Sequence, residues 1–355
     1  MDRKLLFSAF ALTLVSCFGG KGNPDDDTGP QGDPLQADLL FVLDNSPSMY
    51  DEVGTLGLGF DDLAASLPTD IDFHLAVTTL SADPEDDADG DGSLIEPGEV
   101  GTFMGVGAFT TSSDWTSELR RTMLCEGTCW PGECQGDDTD GCIPNDPSYQ
   151  CDDDPGDQIT WDSLECICGA GWEPPPCGSG TEEGLEAALL ALCRATSSPP
   201  DSCFDHAGSP LTQADAGSNP GFLRPETPTV VLILTDEGDG SRVLSQGEDD
   251  PQEYLDLFQE IGGALSIAVV GPAYDPETHN FECNSGGATS WGTRRYQRSA
   301  EITDGFYTSI EECNAPDGSC SGADSEYCAP TDFEGVWSSL VELLQAGASD
   351  VNGWW

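Results

Sequence analysis

The stretch Leu39 to Met49, LLFVLDNSPSM, places a carboxylate and two hydroxyls at alternate positions directly after an apolar run. Asp44, Ser46 and Ser48 carry hard oxygens, and three such oxygens along a tight turn suit one small cation. The same letters also serve an ordinary turn, because Asp, Ser and Pro end strands for purely local reasons. A second acidic stretch, Asp83 to Glu99 (DPEDDADGDGSLIEPGE), sets Asp87, Asp89 and Asp91 at alternate positions ahead of Gly92. Carboxylates spaced in this way can meet at one ion while the glycine permits a sharp turn. Two further oxygen donors stand where elements begin or end: Thr181 ahead of an apolar helical pattern, and Asp236 after TVVLIL. Nucleophilic chemistry fits these residues poorly. A phosphotransferase with an aspartate nucleophile wants a second carboxylate two residues on, where Ser46 stands. A serine hydrolase needs a base and a G-x-S-x-G turn, and His74, His206 and His279 lie in unrelated contexts with no such turn. The expectation is a protein that is not an enzyme.

The elements that must hold these residues alternate between strand and helix. Leu39 to Leu43 reads as a strand buried on both faces. Val53, Leu56, Phe60, Leu63 and Leu67 predict an amphipathic helix over 50–67, weakened by Gly54, Gly57 and Gly59 and stopped by Pro68. A second strand follows over Asp72 to Leu80, in which His74 is a packed residue, then a short strand over 102–109 and a short helix over 114–124. Glu182 to Thr196 predicts a helix with Thr181 as its cap and two glutamates in its first turn, where the dipole favours them. Thr229 to Leu234 (TVVLIL) is the most buried strand pattern. Helix over 251–261, strand over 264–270, helix over 294–302, a turn and short strand over 304–309 and a helix over 333–344 complete the series. Strands alternating with helices predict an α/β fold with a mostly parallel sheet.

The chain carries 66 acidic against 11 basic residues, a formal charge of -55. No basic patch can be assembled, which excludes nucleic acid as a partner, and multivalent cations are the natural counter-charge. The 37% of hydrophobic residues suffices for a core. At the start, Arg3 and Lys4 precede an apolar run from Leu5 to Val15, the pattern of an export signal. Leu14-Val15-Ser16-Cys17 resembles the lipobox of bacterial lipoproteins, which implies cleavage after residue 16 and lipidation of Cys17. Setting Cys17 aside leaves 14 of the 15 cysteines, an even number suited to disulfides in an oxidising compartment. Eight of them lie between Cys125 and Cys177, in a segment without histidine, so disulfides are preferred there to zinc. Cys203 is placed to bridge back to Cys193.

Three further resemblances follow from these letters. Asp87, Asp89, Asp91 and Gly92 resemble the first half of an EF-hand loop, although its twelfth position is Gly98, so the last ligand would be Glu96 or the displaced Glu99. Calcium binding and a merely solvated acidic loop both remain open there. C-I-C-G-A-G-W ending at Trp172, followed by Cys177, resembles the close of an EGF-like module, which implies a bond between Cys168 and Cys177. The set FVLDNSPSM…GSGTEEGLEAAL…VVLILTDEG resembles a von Willebrand factor A (vWA) domain and its metal-ion-dependent adhesion site. The resemblance implies a Rossmann-like α/β fold over 37–346, with insertions at 83–99, 125–177 and 310–330. A signal peptide over 1–16 and a lipidated linker over 17–36 precede it, and a tail over 347–355 follows. It implies Mg²⁺, or Mn²⁺ or Ca²⁺, held by Asp44, Ser46, Ser48, Thr181 and Asp236, the serines directly and the aspartates largely through water. Pro47 departs from the glycine often found between the serines. The function so implied is cation-dependent adhesion at the cell surface or outer membrane, to a protein or glycan ligand presenting a carboxylate. Only the lipid anchor would touch the membrane. A calcium-stiffened envelope component without an active adhesion site is the alternative, and a hydrolase the third.

Overall fold

The computed structural model describes residues 35–67, 71–80, 115–133, 159–203, 219–241, 248–313 and 328–350, short gaps inside these ranges excepted, and a few positions between 143 and 151. In chain order the elements are β1 (Leu35–Leu43), α1 (Tyr50–Leu58), α2 (Phe60–Ser66), β2 (Ile71–Thr79), α3 (Trp115–Glu126), α4 (Trp161–Cys168), α5 (Gly184–Ala195) and β3 (Thr229–Leu234). They continue with α6 (Gln252–Ile261), β4 (Leu265–Gly271), β5 (Tyr274–Asp275), β6 (Asn280–Phe281), α7 (Ser290–Ile302), β7 (Tyr307–Ser309), β8 (Glu311–Cys313), β9 (Cys328–Pro330) and α8 (Phe333–Asp350). Five strands form one sheet in the order β2-β1-β3-β4-β7, and every pairing in it is parallel.

Strand composition explains this architecture. Successive side chains of β1, β3 and β4 face opposite sides, and both sides are apolar. Leu39, Phe41, Leu43, Val230, Leu232 and Leu234 enter one core with α1, α2, α3 and α8. Leu40, Val42, Val231, Ile233, Ile267 and Val269 enter the other with α5 and α6. Helices therefore cover both faces of a parallel sheet, the α/β class that the alternating pattern predicts.

Several boundaries differ from the sequence reading for identifiable reasons. The helix expected over 50–67 is interrupted at Gly59, which caps α1 and opens α2, and the buried Trp337 of α8 packs so close that a Cβ on residue 59 would stand 2.7 Å from its Nε1. The helix α7 begins at Ser290, four residues early, where the Thr289 hydroxyl caps the Gly292 amide at 3.3 Å. The helix α8 runs on to Asp350. The cysteine-rich segment contains α4, whose start is a reciprocal capping box between Thr160 and Ser163.

That helix also corrects the EGF-like pairing. Cys166 and Cys168 both lie on α4 and reach different partners: Cys151 bonds Cys166, Cys125 bonds Cys168, and Cys129 bonds Cys177. Two of these three bonds thus tie the later half of the segment back to Cys125 on α3 and to Cys129 just after it. Beyond the segment, Cys193 at the end of α5 bonds Cys203.

At the N-terminal edge of the sheet, Arg224 fastens β1 to β2. Its guanidinium donates to the Asp38 and Asp72 carboxylates at 2.8 and 2.9 Å and to the Ala37 carbonyl at 2.7 Å. His74 packs beside this latch, with Nδ1 3.0 Å from the Phe222 carbonyl.

Candidate functional site

The chain leaves β1 toward β2 on one side and later returns to β3 on the other, so the C-terminal ends of β1 and β3 meet where the winding reverses. In open α/β sheets that crevice is where ligands bind. Register fixes the meeting: Leu43 pairs with Leu234, and the Asp44 amide donates to the Leu234 carbonyl at 2.9 Å. Asp44 and Asp236 consequently emerge at the same edge.

The Asp44 carboxylate is buried and shapes the turn after β1. One oxygen accepts from the Ser46 amide at 2.8 Å and the other from the Thr235 hydroxyl at 2.7 Å. Ser46 stands at the cap of a short 3-10 turn over Pro47–Met49, with Pro47 in its first position. The Ser46 and Ser48 hydroxyls lie 2.9 Å apart. Pro47 therefore leaves both hydroxyls side by side on the turn.

More carboxylates crowd this edge than the motif requires. Asp236, Glu52, Glu182, Glu183 and Glu311 are all buried. One oxygen each of Glu52 and Glu182 accepts no hydrogen bond. The strongest charges acting on these groups are other carboxylates. Burial, then Asp236, pushes Asp44 up to about 7. Burial pushes Glu52 up to about 8, with Asp236 and Glu311 adding to it. Burial, then Asp44 and Glu237, pushes Glu182 up to about 11, and its carboxyl shares a hydrogen bond with Glu237. Such a cluster is stable only if protons or a cation neutralise it.

Of the expected ligands, the structure brings Asp44, Ser46 and Ser48 together with Asp236 within electrostatic reach. Thr181 lies outside the described residues, as do the acidic-loop positions Asp87, Asp89, Asp91, Glu96 and Glu99 and the lipidation candidate Cys17. The expectation that two glutamates occupy the first turn of a helix is corrected. The helix α5 starts at Gly184, and Glu183 stands at its cap position with no side-chain capping bond. Glu52 and Glu182 escaped the sequence reading as site residues. Glu52 had a signal, being four residues before the core residue Leu56 and so on the buried stripe of α1.

Among the described residues, no three or more His, Cys, Asp or Glu side chains converge to hold a metal ion by themselves. Any ion here would depend on the hydroxyls and on water as well as on carboxylates. The one histidine among the described residues, His74, is on β2 opposite Asp38, at the far edge of the sheet from Ser46. It is not placed to activate that hydroxyl. No helix among the described residues is long and apolar enough to cross a membrane. The sequence matches no protein-family model, and no curated protein matches it significantly. What the fold and the edge define together is an α/β protein with a buried acidic and hydroxylic cluster at the reversal of its sheet.

Proposed function

We propose that this protein is an exported binding module of the vWA type, in which a divalent cation at the β1/β3 edge captures a carboxylate of a protein or glycan partner. The observation that carries the reading is the placement of Asp44 beside two adjacent hydroxyls at the β1/β3 edge, with Glu52 and Glu182 buried near it and none of these three carboxylates in a salt bridge among the described residues. The residues fit a hard cation. Glu182 and Glu52 each bury an oxygen that accepts no hydrogen bond, and an oxygen-rich donor set suits Mg²⁺, Mn²⁺ or Ca²⁺. Ser46 and Ser48 would hold the ion directly, with Asp44 and Asp236 orienting its water and Thr181 completing the set. A site built on neutral hydroxyls leaves the ion enough positive charge to take a further carboxylate from outside. In this reading Cys17 carries the lipid anchor and 18–36 the tether, at an outer membrane or cell surface. Ca²⁺ at Asp87, Asp89 and Asp91 is a second, separate element of the proposal.

A structural role has its own support: Glu237, next to Asp236 and close enough to act on Glu182, adds negative charge to the edge, which weakens capture of an acidic ligand. The experiment that separates the two is pull-down from native cell surfaces with and without Mg²⁺, using the wild type and an Asp44→Ala, Ser46→Ala double variant. The adhesion reading expects a Mg²⁺-dependent partner that the double variant loses. Undiminished capture by the double variant refutes it, and chelator-sensitive melting with no captured partner favours the structural role.

A further inference from the structure

We infer that Asp239, backed by Arg295, is a positioning residue for the cation edge: it clamps the first turn of α5 to the loop after β3, so that Glu182 and Asp236 are held as one body. The inference rests on the cation reading above and adds residues that its motif does not contain.

The helix α5 opens without a cap of its own, yet each of its first three amides is taken from outside. Gly184 donates to the Tyr296 hydroxyl at 3.2 Å, Leu185 to the Asp239 carboxylate at 3.2 Å, and Glu186 to the Ser241 hydroxyl at 3.0 Å. The connection runs back as well, since the Gly240 amide donates to the Glu182 carbonyl at 2.6 Å. Helix starts normally satisfy these amides with a local Ser, Thr, Asp or Asn. Here the cap comes from residues more than fifty positions away, three to five beyond Asp236.

Asp239 is itself held. Its carboxylate accepts from the Ser241 hydroxyl at 2.7 Å and from Arg295 Nη1 at 3.3 Å, and both charged residues are fully buried. Arg295 also donates to the Asp239 carbonyl at 3.0 Å and the Glu248 carbonyl at 2.7 Å, and stacks 4.6 Å from the Trp291 ring. Two glycines let the loop rest directly on α7: a Cβ on Gly238 would stand 2.8 Å from the Thr293 nitrogen, and one on Gly292 2.7 Å from the Asp239 nitrogen. A buried ion pair is seldom the most stable way to fill a core, whereas it does fix geometry. The geometry fixed here is that of Glu182, two residues before α5, relative to Asp236.

The test measures Mn²⁺ affinity by titration calorimetry, with protein stability followed in parallel. Asp239→Asn keeps an oxygen for the Leu185 amide and removes the charge facing Arg295. Its Mn²⁺ affinity should fall by roughly 10–100-fold, as for residues that orient metal ligands, and the Gly184 to Glu186 amides should exchange faster. Arg224→Ala, at the far edge of the sheet, is the control: it should lower the melting temperature and leave Mn²⁺ affinity unchanged. Should Asp239→Asn fail to fold, Ser241→Ala removes one clamp hydroxyl and should still weaken Mn²⁺ binding. Wild-type affinity in a folded Asp239→Asn or Ser241→Ala variant overturns the inference while the cation reading stands. A wild type that binds no Mn²⁺ overturns both.

Discussion

Removing divalent cations should make the protein progressively less stable between about pH 6 and pH 8, the range in which ordinary carboxylates are already ionised. The groups responsible are Asp44, pushed to about 7, and Glu52, pushed to about 8, both chiefly by burial. A carboxyl raised in this way supports the fold fully below its unfolded pKa, and that support is lost as pH rises through the folded value. While the folded chain holds a proton that the unfolded chain has released, stability falls by about 1.4 kcal/mol per pH unit for each group. Asp44 holds its proton over the first half of the window and Glu52 over most of it, which together removes on the order of 3–4 kcal/mol. For a domain of this size that is a fall in Tm of roughly 5 °C. Glu182, pushed to about 11, steepens the same slope. A cation that competes with these protons should restore most of the loss, so its stabilisation grows with pH. The assay is thermal unfolding followed by near-UV circular dichroism, in chelator and in millimolar MgCl₂, with NaCl matching the ionic strength. A Tm that stays level across the window in chelator, or a Mg²⁺ increment that is the same at both ends, refutes the reasoning.

Four other outcomes are expected. Replacing both Ser46 and Ser48 with alanine should lower Mg²⁺ affinity by at least about tenfold and leave Tm in chelator nearly unchanged, since the two hydroxyls chiefly face each other; calorimetry and unfolding read the two effects separately. Arg224→Ala strands the buried Asp38 carboxylate and should cost about 3–5 kcal/mol in denaturant unfolding. Gly292→Ala should destabilise by about 1–3 kcal/mol, because its Cβ would meet the backbone at Gly238 and Asp239 rather than a movable side chain. Peptide mapping of the oxidised protein should recover Cys125 with Cys168, Cys129 with Cys177 and Cys151 with Cys166, and a peptide joining Cys168 to Cys177 would contradict the fold described here.

Strands were legible because burial on both faces leaves an uninterrupted apolar signature: TVVLIL is β3 to the residue, and DFHLAVTTL is β2 displaced by one position. Helix ends were less so, since they depend on partners that local sequence does not name. The break between α1 and α2 falls at Gly59, against which Trp337 packs from far along the chain, and the first amides of α5 are taken by Tyr296, Asp239 and Ser241. Of the cysteine pairs, the local Cys193–Cys203 bond was legible, whereas the pairing within 125–177 was not, for the same reason. The resemblance to the close of an EGF-like module implied a local bridge from Cys168 to Cys177, whereas α4 turns that side chain toward Cys125 on α3. At the site, Asp44, Ser46 and Ser48 stood out by alternation, but Glu182 read as a helix-dipole residue until its neighbours were known.

Where the few arginines stand distinguishes this edge from the rest of the molecule. In a chain with 66 acidic and 11 basic residues, most carboxylates must rely on water. Several buried or half-buried carboxylates have arginine partners instead: Asp38 is paired with Arg224 and Asp239 with Arg295, while half-buried Asp249 meets Arg294 and Arg298. Asp44, Glu52 and Glu182 are as deeply buried as Asp38, yet among the described residues none of the three forms a salt bridge. Burying several like charges together without a counter-ion is opposed by both desolvation and repulsion, so a fold that does it must neutralise them from outside. Protons can do so at low pH. At neutral pH a small divalent cation does it with fewer ions and with a donor set that Ser46 and Ser48 complete, and on that difference in counter-charge between Asp44, Glu52 and Glu182 and the arginine-paired carboxylates the cation reading rests.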